Sequence, residues 1–212
     1  MLKVNEIFHS IQGESTHAGR PCVFVRLTGC NLRCAWCDTE FAFYEGKELT
    51  VDQVMEQVAI YGCGLVEVTG GEPLMQPEAI DLMERLLAEG YEVMLETGGS
   101  LPIKQVPQPV IKIVDFKAPL SGMVMNNLWS ILDDLAPHDE VKFVIGDRAD
   151  YDWTRARIEE YGLAGRHTIL ISPVFGILEP RTLAGWLLKD RLQARLQLQL
   201  HTAIWGPGKR GV

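Results

Sequence analysis

The chain has 212 residues, 47% of them hydrophobic, with 20 Lys and Arg against 28 Asp and Glu for a net charge of -8. That length and apolar fraction can bury one sizeable core, which favours a single domain over residues 1–212, and an acidic balance with a pI near 5.2 leaves no basic face for a phosphate backbone, so no nucleic acid partner is expected. No apolar run approaches about 18 residues, and Lys3, Asn5 and Glu6 interrupt the amino terminus at once, so neither a membrane span nor a leader is read and the cytoplasm is the expected compartment.

In chain order the first strand signal is "CVFVRLT" (22–28), a run rich in β-branched residues. Directly after it comes "GCNLRCAWCDT" (29–39), which holds three of the five cysteines. The stretch "TVDQVMEQVAIYG" (50–62) reads as a helix. Thr50 is its N-cap, Gln53 completes a capping box, Val51, Val54, Met55 and Val58 share one face, and Gly62 stops it. Further strands are expected at 65–69, 91–96, 110–115, 140–145, 168–172 and 196–201. Helices are expected near 77–89, with Pro77 in the first turn and Gly90 past the end, and near 124–136, 151–161 and 179–191. The spacer "LPIKQVPQP" (101–109) carries three prolines, so one connection lacks its helix. Alternating strands and helices imply mostly parallel pairing with right-handed crossovers. The expected fold is α/β: an incomplete, open (β/α) barrel of mostly parallel strands, with a doubly wound sheet as the alternative topology.

Glycine-rich and polar stretches follow these strands: the cysteine stretch the first, "GGEP" (70–73) the second, "TGG" (97–99) the third, "FKAP" (116–119) the fourth, "SPVFG" (172–176) the sixth and "TAIW" (202–205) the last. In a barrel the carboxyl ends of the strands are where loops converge on a ligand. Glycine and proline also end strands that bind nothing, but that does not account for the cysteines. Their spacing is Cys30-x3-Cys34-x2-Cys37, with Trp36 before the third. A four-cysteine zinc site would close its own shell, and a disulfide framework would use an even number. Three thiolates on a four-iron cube leave one iron open. Bunched and odd in number, these cysteines suit a reducing compartment and a metal, while Cys22 and Cys63 read as small buried hydrophobes. Zinc, with His17 as the fourth ligand, is the competing metal.

The cysteine spacing, with "GGEP" at the next strand, resembles the signature of the radical S-adenosylmethionine (SAM) superfamily. The amino-terminal "EIFHSIQGESTHAGRPCVFVRLTGCNLRC", with "CDT", "TGGEP", "ETGG" and "QLH", is similar to the 7-carboxy-7-deazaguanine synthase family of queuosine biosynthesis. The similarity runs from Asn5 nearly to the last residue, and "SIQGE" (10–14) with "CDT" (37–39) is its most specific part. Ser15 departs from the pattern, since the family more often has a second glycine there, while the x3 spacing supports ordinary cluster geometry.

That resemblance implies a radical SAM partial TIM barrel in which Cys30, Cys34 and Cys37 hold a 4Fe-4S iron-sulfur cluster whose unique iron binds SAM. It implies a carbon-nitrogen lyase that converts 6-carboxy-5,6,7,8-tetrahydropterin to 7-carboxy-7-deazaguanine with loss of ammonia. A 5′-deoxyadenosyl radical takes hydrogen from C6 and the ring contracts. SAM contacts are implied at Ala35, Trp36, Cys37, Asp38, Gly71, Asp115, Phe116, Lys117, Ser172, Pro173, Val174 and Phe175. Pterin contacts are implied at Gln12, Gly13, Glu14, Arg26, Thr69, His201 and Val212, with Arg26 forking onto the carboxylate. Thr39 is the implied ligand of Mg2+ (magnesium). An amino-terminal segment would bind the small-molecule pterin substrate, a carboxyl-terminal tail would close the site, an electron donor such as flavodoxin would reduce the cluster, and the assembly would be a homodimer. No further residue is given a catalytic role. The rivals are an activating enzyme for glycyl-radical enzymes, which shares the cysteine loop but has no reason to carry "SIQGE", and a non-catalytic zinc module.

Overall fold

The computed structural model describes Met1–Val212. Strand β1 (Leu2–Ile11) pairs antiparallel with β2 (Pro21–Leu27), and the short β3 (Lys47–Leu49) pairs antiparallel with the free edge of β1. Helix α1 (Val51–Ala59) leads to β4 (Leu65–Gly70), α2 (Glu78–Ala88) to β5 (Glu92–Thr97), and β6 (Ile111–Phe116) follows with no helix between, as the three prolines of 101–109 require. Then come β7 (Glu140–Ile145), α3 (Arg148–Glu160), β8 (Thr168–Pro173), α4 (Pro180–Asp190), β9 (Arg195–Leu196) and α5 (Leu200–Trp205). The strands lie in the order β3-β1-β2-β4-β5-β6-β7-β8-β9, and every neighbouring pair from β2 to β9 is parallel. The parallel strands from β2 through β4 to β9 follow chain order in one direction, and only the antiparallel edge strand β3 returns to the other side; the doubly wound alternative is removed, because it needs a reversal point within the parallel strands. The end strands β3 and β9 do not pair, so the barrel is open.

Local chemistry explains the elements. The α1 capping box is formed: Thr50 Oγ1 accepts from the Gln53 backbone N–H at 3.1 Å, and Gln53 Oε1 accepts from the Thr50 N–H at 2.9 Å. Asp147 caps α3 by accepting from the Asp150 N–H at 2.8 Å. Two expectations fail. The segment 124–136 is not a helix but two short 3-10 turns, Val124–Asn126 and Trp129–Asp133. The Asn127 side chain bonds Lys117 N and O at 2.8 and 2.9 Å, tying the chain to the end of β6 where a helix would have continued. The last strand is two residues long instead of 196–201, because the chain leaves the sheet after Gln197, whose backbone N–H still donates to the Ile171 carbonyl at 2.9 Å, and the side-chain amides of Gln197 and Gln199 turn to Glu14.

Strand β1 carries a register shift between Val4, paired with Leu27, and Glu6, paired with Arg26. The extra residue, Asn5, flips the side-chain phase. Leu2 and Val4 belong to the large core under the helices, whereas Phe8 belongs to the inner core of the barrel. That inner core, made of Phe8, Cys22, Phe24, Leu65, Met94, Ile113 and Leu170, plugs one end of the barrel. One step further along the same inward faces the residues turn polar: Arg26, Glu67, Thr69, Glu96, Asp115, Lys142 and Ser172.

Candidate active site

A cavity of about 390 Å³ opens at the carboxyl ends of the strands. The cysteine loop enters it from β2, and the "GGEP" loop of β4 lies against that loop. A Cβ on Gly71 would stand 2.2 Å from the Gly29 carbonyl oxygen and 2.7 Å from Cys30 Cβ, so glycine is required by the contact between the two loops before any ligand is considered. Glu72 is fully buried and joins this loop to the next: it accepts from Thr97 Oγ1 at 2.8 and 2.9 Å, from Gly98 N–H at 2.8 Å and from Leu74 N–H at 3.0 Å.

Cys30, Cys34 and Cys37 are all free, half-buried and in the cavity lining. Burial pushes the Cys30 and Cys34 thiols up, so both are protonated until a metal claims them. No three His, Cys, Asp or Glu side chains converge on a single ion. A zinc ion needs such convergence, whereas a four-iron cube offers three separate corners and suits thiols spread along one loop. His17 is not near them; it bonds Glu92 at 3.0 Å at the amino-terminal end of β5, the opposite end of the barrel. Cys22 is buried in the inner core, and Cys63 is half-buried with its thiol donating to the Pro21 carbonyl at 3.3 Å. Two buried polar atoms of lining residues have no partner, Asp115 Oδ1 on β6 and Ser172 Oγ on β8. Unpaired buried groups of this kind are costly unless a ligand completes them, and a ligand that carries hydroxyl or amino groups would supply the donors.

Across the cavity, the Arg26 Nε donates to Glu6 Oε1 at 2.9 Å, and the guanidinium carbon lies 5.7 Å from the Phe8 ring centre and 5.8 Å from that of Phe41. Its two Nη atoms have no protein partner, which leaves a planar fork for a carboxylate. Thr69 lines the cavity without a side-chain bond. Gln12 also lines it, but its amide is committed: Oε1 accepts from the Glu14 N–H at 3.0 Å and Nε2 donates to Glu67. Burial, reinforced by the negative charge of Glu96, pushes the Glu67 carboxyl up to about 8, so it holds a proton at neutral pH. Glu14 goes the other way. Burial alone would raise it, yet the Lys142 ammonium and the Gln199 amide hold it below the usual carboxylate range, and the Gln197 amide bonds the same carboxylate at 3.0 Å.

The carboxyl-terminal segment supplies the remaining wall. The Leu200 N–H donates to the Gly13 carbonyl at 3.0 Å, and a Cβ on Gly13 would stand 2.2 Å from His201 Nδ1, so the pairing of the glycine with the histidine is one of shape. His201 stands on the short α5, not after a strand. Beyond it the tail folds over the turn that follows the cysteine loop, with Arg210 lying 3.8 Å over the Phe41 ring and paired with Glu45 at 2.8 Å, and Val212 reaches the cavity. Trp36, Asp38, Thr39, Lys117, Pro173, Val174 and Phe175 also line it, Phe175 as an exposed rim residue. Two expected contacts stay outside. The Phe116 side chain is fully buried on the helix side of the sheet, stacked 4.5 Å from Trp129, because its neighbour Asp115 takes the inward position. Ala35 is exposed and bonds the Ser121 carbonyl through its N–H at 3.0 Å.

The sequence reading missed Glu67, Glu96, Lys142, Gln197 and Gln199. The signal was present as ionisable residues inside apolar strands: "LVEVT", "YEVMLE" and "EVKFVI" each spend an inward position on an ionisable side chain, which a sheet buried on both faces does not do without a partner.

The sequence model of the Radical SAM superfamily matches residues 24–113. A 7-carboxy-7-deazaguanine synthase of Koribacter versatilis is 46% identical over 226 aligned residues that cover 100% of both chains. One of Chlorobaculum tepidum is 46% identical over 214 residues, covering 100% of this chain and 97% of that one. Among solved structures, the crystal structure of QueE from Escherichia coli is similar with a TM-score of 0.74 over 92% of this chain and 93% of that one, at 21% identity, a likeness of fold.

Proposed function

The chain belongs to the 7-carboxy-7-deazaguanine synthase family of radical SAM enzymes, and from that membership we propose how its own residues convert 6-carboxy-5,6,7,8-tetrahydropterin to 7-carboxy-7-deazaguanine with loss of ammonia. It is a radical SAM carbon-nitrogen lyase of the queuosine pathway. The observation that carries the assignment of roles is one cavity with three free thiols on one wall, and an unpaired guanidinium fork and a carboxylate on the other.

Cys30, Cys34 and Cys37 hold the 4Fe-4S cluster. When bound, the cluster and SAM supply the 5′-deoxyadenosyl radical that removes hydrogen from C6. Asp115 Oδ1 and Ser172 Oγ take polar groups of SAM, Trp36 and the stretch from Pro173 to Phe175 border it, and Gly71 leaves its backbone open beside Cys30. The Arg26 Nη atoms take the pterin carboxylate. Glu14 and Thr69 meet the polar edge of the heterocycle, and Gly13, His201 and the tail to Val212 close over it. Such a flat, polar substrate must be held by directional hydrogen bonds, and these groups come from a rigid barrel. Mg2+ is assigned to Thr39, whose Oγ1 has no nearer partner than Cys37 Sγ at 3.8 Å. One hydroxyl is far short of about six oxygens, so the ion is expected only with the substrate carboxylate and water present. A donor such as flavodoxin, a homodimeric assembly and a cytoplasmic location complete the proposal. The family resemblance supports the first two and five free thiols the third; no helix is long and apolar enough to cross a membrane.

The test is anaerobic reconstitution with iron and sulfide, then incubation with SAM, reductant, magnesium and the carboxytetrahydropterin. A brown protein that releases the deazapurine and ammonia is expected. SAM cleavage that leaves the pterin unchanged would overturn the substrate assignment.

A further inference from the structure

Lys142, on the inward face of β7, is the most enclosed cation of the cavity, and none of the residues assigned to ligands above includes it. Its side chain is 6% exposed. Carboxylates from three separate elements meet its ammonium: Glu14 after β1, Glu96 on β5 at 2.6 Å, and Asp115 on β6 at 3.8 Å. The other charged or titratable groups facing this cluster are Glu67 on β4, Lys117 after β6, which pairs with Asp115 at 3.0 Å, and His201 on α5. Lys117 is engaged by Asp115, so Lys142 is the one cation paired with Glu14.

The hydrogen bonds of Glu14 fix what it can offer a ligand. Oε2 takes Lys142 and the Gln197 amide, which fills its two lone pairs. Oε1 takes only the Gln199 amide, so one acceptor position remains, on the oxygen away from the ammonium. Lacking Lys142, a buried Glu14 among Glu67, Glu96 and Asp115 would hold a proton, and its remaining oxygen could then become a donor. A pterin edge presents N–H groups, and two donors facing each other repel.

We propose that Lys142 is a positioning residue for the pterin: its ammonium keeps Glu14 a fixed acceptor with a single open site for an N–H of the heterocycle. This rests on the pterin reading above. It adds a residue that touches Glu14 rather than substrate, and it ties substrate recognition to the inner charge cluster instead of to the loop "SIQGE" alone.

The test uses the reconstituted holoenzyme and the carboxytetrahydropterin, with KM and kcat measured from pH 6 to pH 9 in the native protein, Lys142→Met and Lys142→Arg. SAM cleavage without pterin reports that cluster and SAM are in place. For Lys142→Met the expected result is a KM raised at least tenfold at neutral pH that recovers as pH rises and Glu14 ionises, while the native KM stays flat. Lys142→Arg should keep the flat profile, because it restores the charge. Adding Lys142→Met to Glu14→Gln should cost nothing further. If Lys142→Met alone fails to take up cluster, Lys142→Met with Glu96→Gln, which removes a second stranded carboxylate, carries the same pH test. A native KM in Lys142→Met, or a raised KM that alkaline pH does not restore, overturns the role of Lys142 while leaving the reaction intact. A native enzyme that cleaves SAM but makes no deazapurine overturns the substrate reading and this role with it.

Discussion

Ser15 has φ +63, a left-handed conformation that costs a residue with a Cβ about 1 kcal/mol and costs glycine nothing. The departure from the expected pattern read in the sequence thus falls on a position whose backbone glycine suits. Its hydroxyl accepts from the His17 N–H at 3.0 Å, which offsets part of the strain. Three predictions belong at this scale. Alanine at Cys30, Cys34 or Cys37 should abolish both the brown colour and SAM cleavage, whereas Cys22→Ala and Cys63→Ala should keep both, Cys22→Ala losing about 1 kcal/mol of stability to a small cavity; visible absorbance and 5′-deoxyadenosine release measure this, and cluster loss in Cys63→Ala would contradict it. Arg26→Lys keeps the charge but loses the bond to Glu6 and the free fork, so the pterin KM should rise about tenfold with pterin-independent SAM cleavage retained. Glu67 predicts a pH dependence of stability. Its folded carboxyl titrates at about 8 against an ordinary 4.5, so between those values the folded chain binds one more proton than the unfolded chain, and stability falls as pH rises through that window. Glu67→Gln does not titrate. Its urea midpoint should therefore gain on the native one from pH 5 to pH 8, by an amount on the order of 1 kcal/mol or more, and a pH-independent difference would refute the buried proton.

The elements that were legible in the sequence are those with an unbroken period. Strand β7 occupies 140–145 as expected, and α1 lies inside its capping-box reading. Strand β1 was missed because its period is broken: the bulge at Asn5 puts Leu2 and Val4 on one face and Glu6 and Phe8 on the other, so "LKVNEIFHSI" alternates on neither face throughout. The same bulge turns Glu6 towards Arg26, so the residue that hid the strand also braces a site residue. Strand β3 is three residues at an edge, too short for any period. The loops of the site were legible through glycine and cysteine, but the reason for Gly71 was not, since the need comes from a loop that is 41 residues away in sequence at Cys30. The element-scale prediction follows from that contact. Gly71→Ala should push the "GGEP" and cysteine loops apart and lower cluster uptake, with the far-ultraviolet circular dichroism of the barrel unchanged. Full cluster occupancy in the variant would show that the loops can yield.

At the scale of the whole molecule, the open side of the barrel is walled by chain that is not sheet: α5 and the tail after Gly206. The tail is held by Arg210 on Phe41 and Glu45, exposed contacts worth about 1 kcal/mol or less. Removing residues 206–212 should therefore shift the melting temperature by only a few degrees. It should raise the pterin KM by about tenfold or more, because Lys209 and Val212 leave the cavity wall, while cluster content stays native. A truncated enzyme with an unchanged KM would remove the tail from the site. The charge cluster within the barrel was illegible for a related reason: Glu14, Glu96, Asp115 and Lys142 meet only when the sheet curls, and no spacing along the chain encodes that meeting.

The unpaired ends of the sheet have a further consequence, for how this protein behaves in company. A barrel left open exposes two ladders of backbone donors and acceptors, the usual template for strand-to-strand accretion. Here one free ladder, β9, is two residues long and begins with Arg195, and the other, β3, is three residues reading Lys47, Glu48, Leu49. Neither end strand gives a visiting strand enough length to register, and each sets charge in its path. Beyond β3, however, the outer edge of β1 runs on without a strand partner from Asn5 to Ile11, where the Tyr61 hydroxyl donates to the Ile7 carbonyl at 3.2 Å. Copies of this chain that meet at high concentration therefore have that stretch, and not the two end strands, as the backbone edge on which to pair.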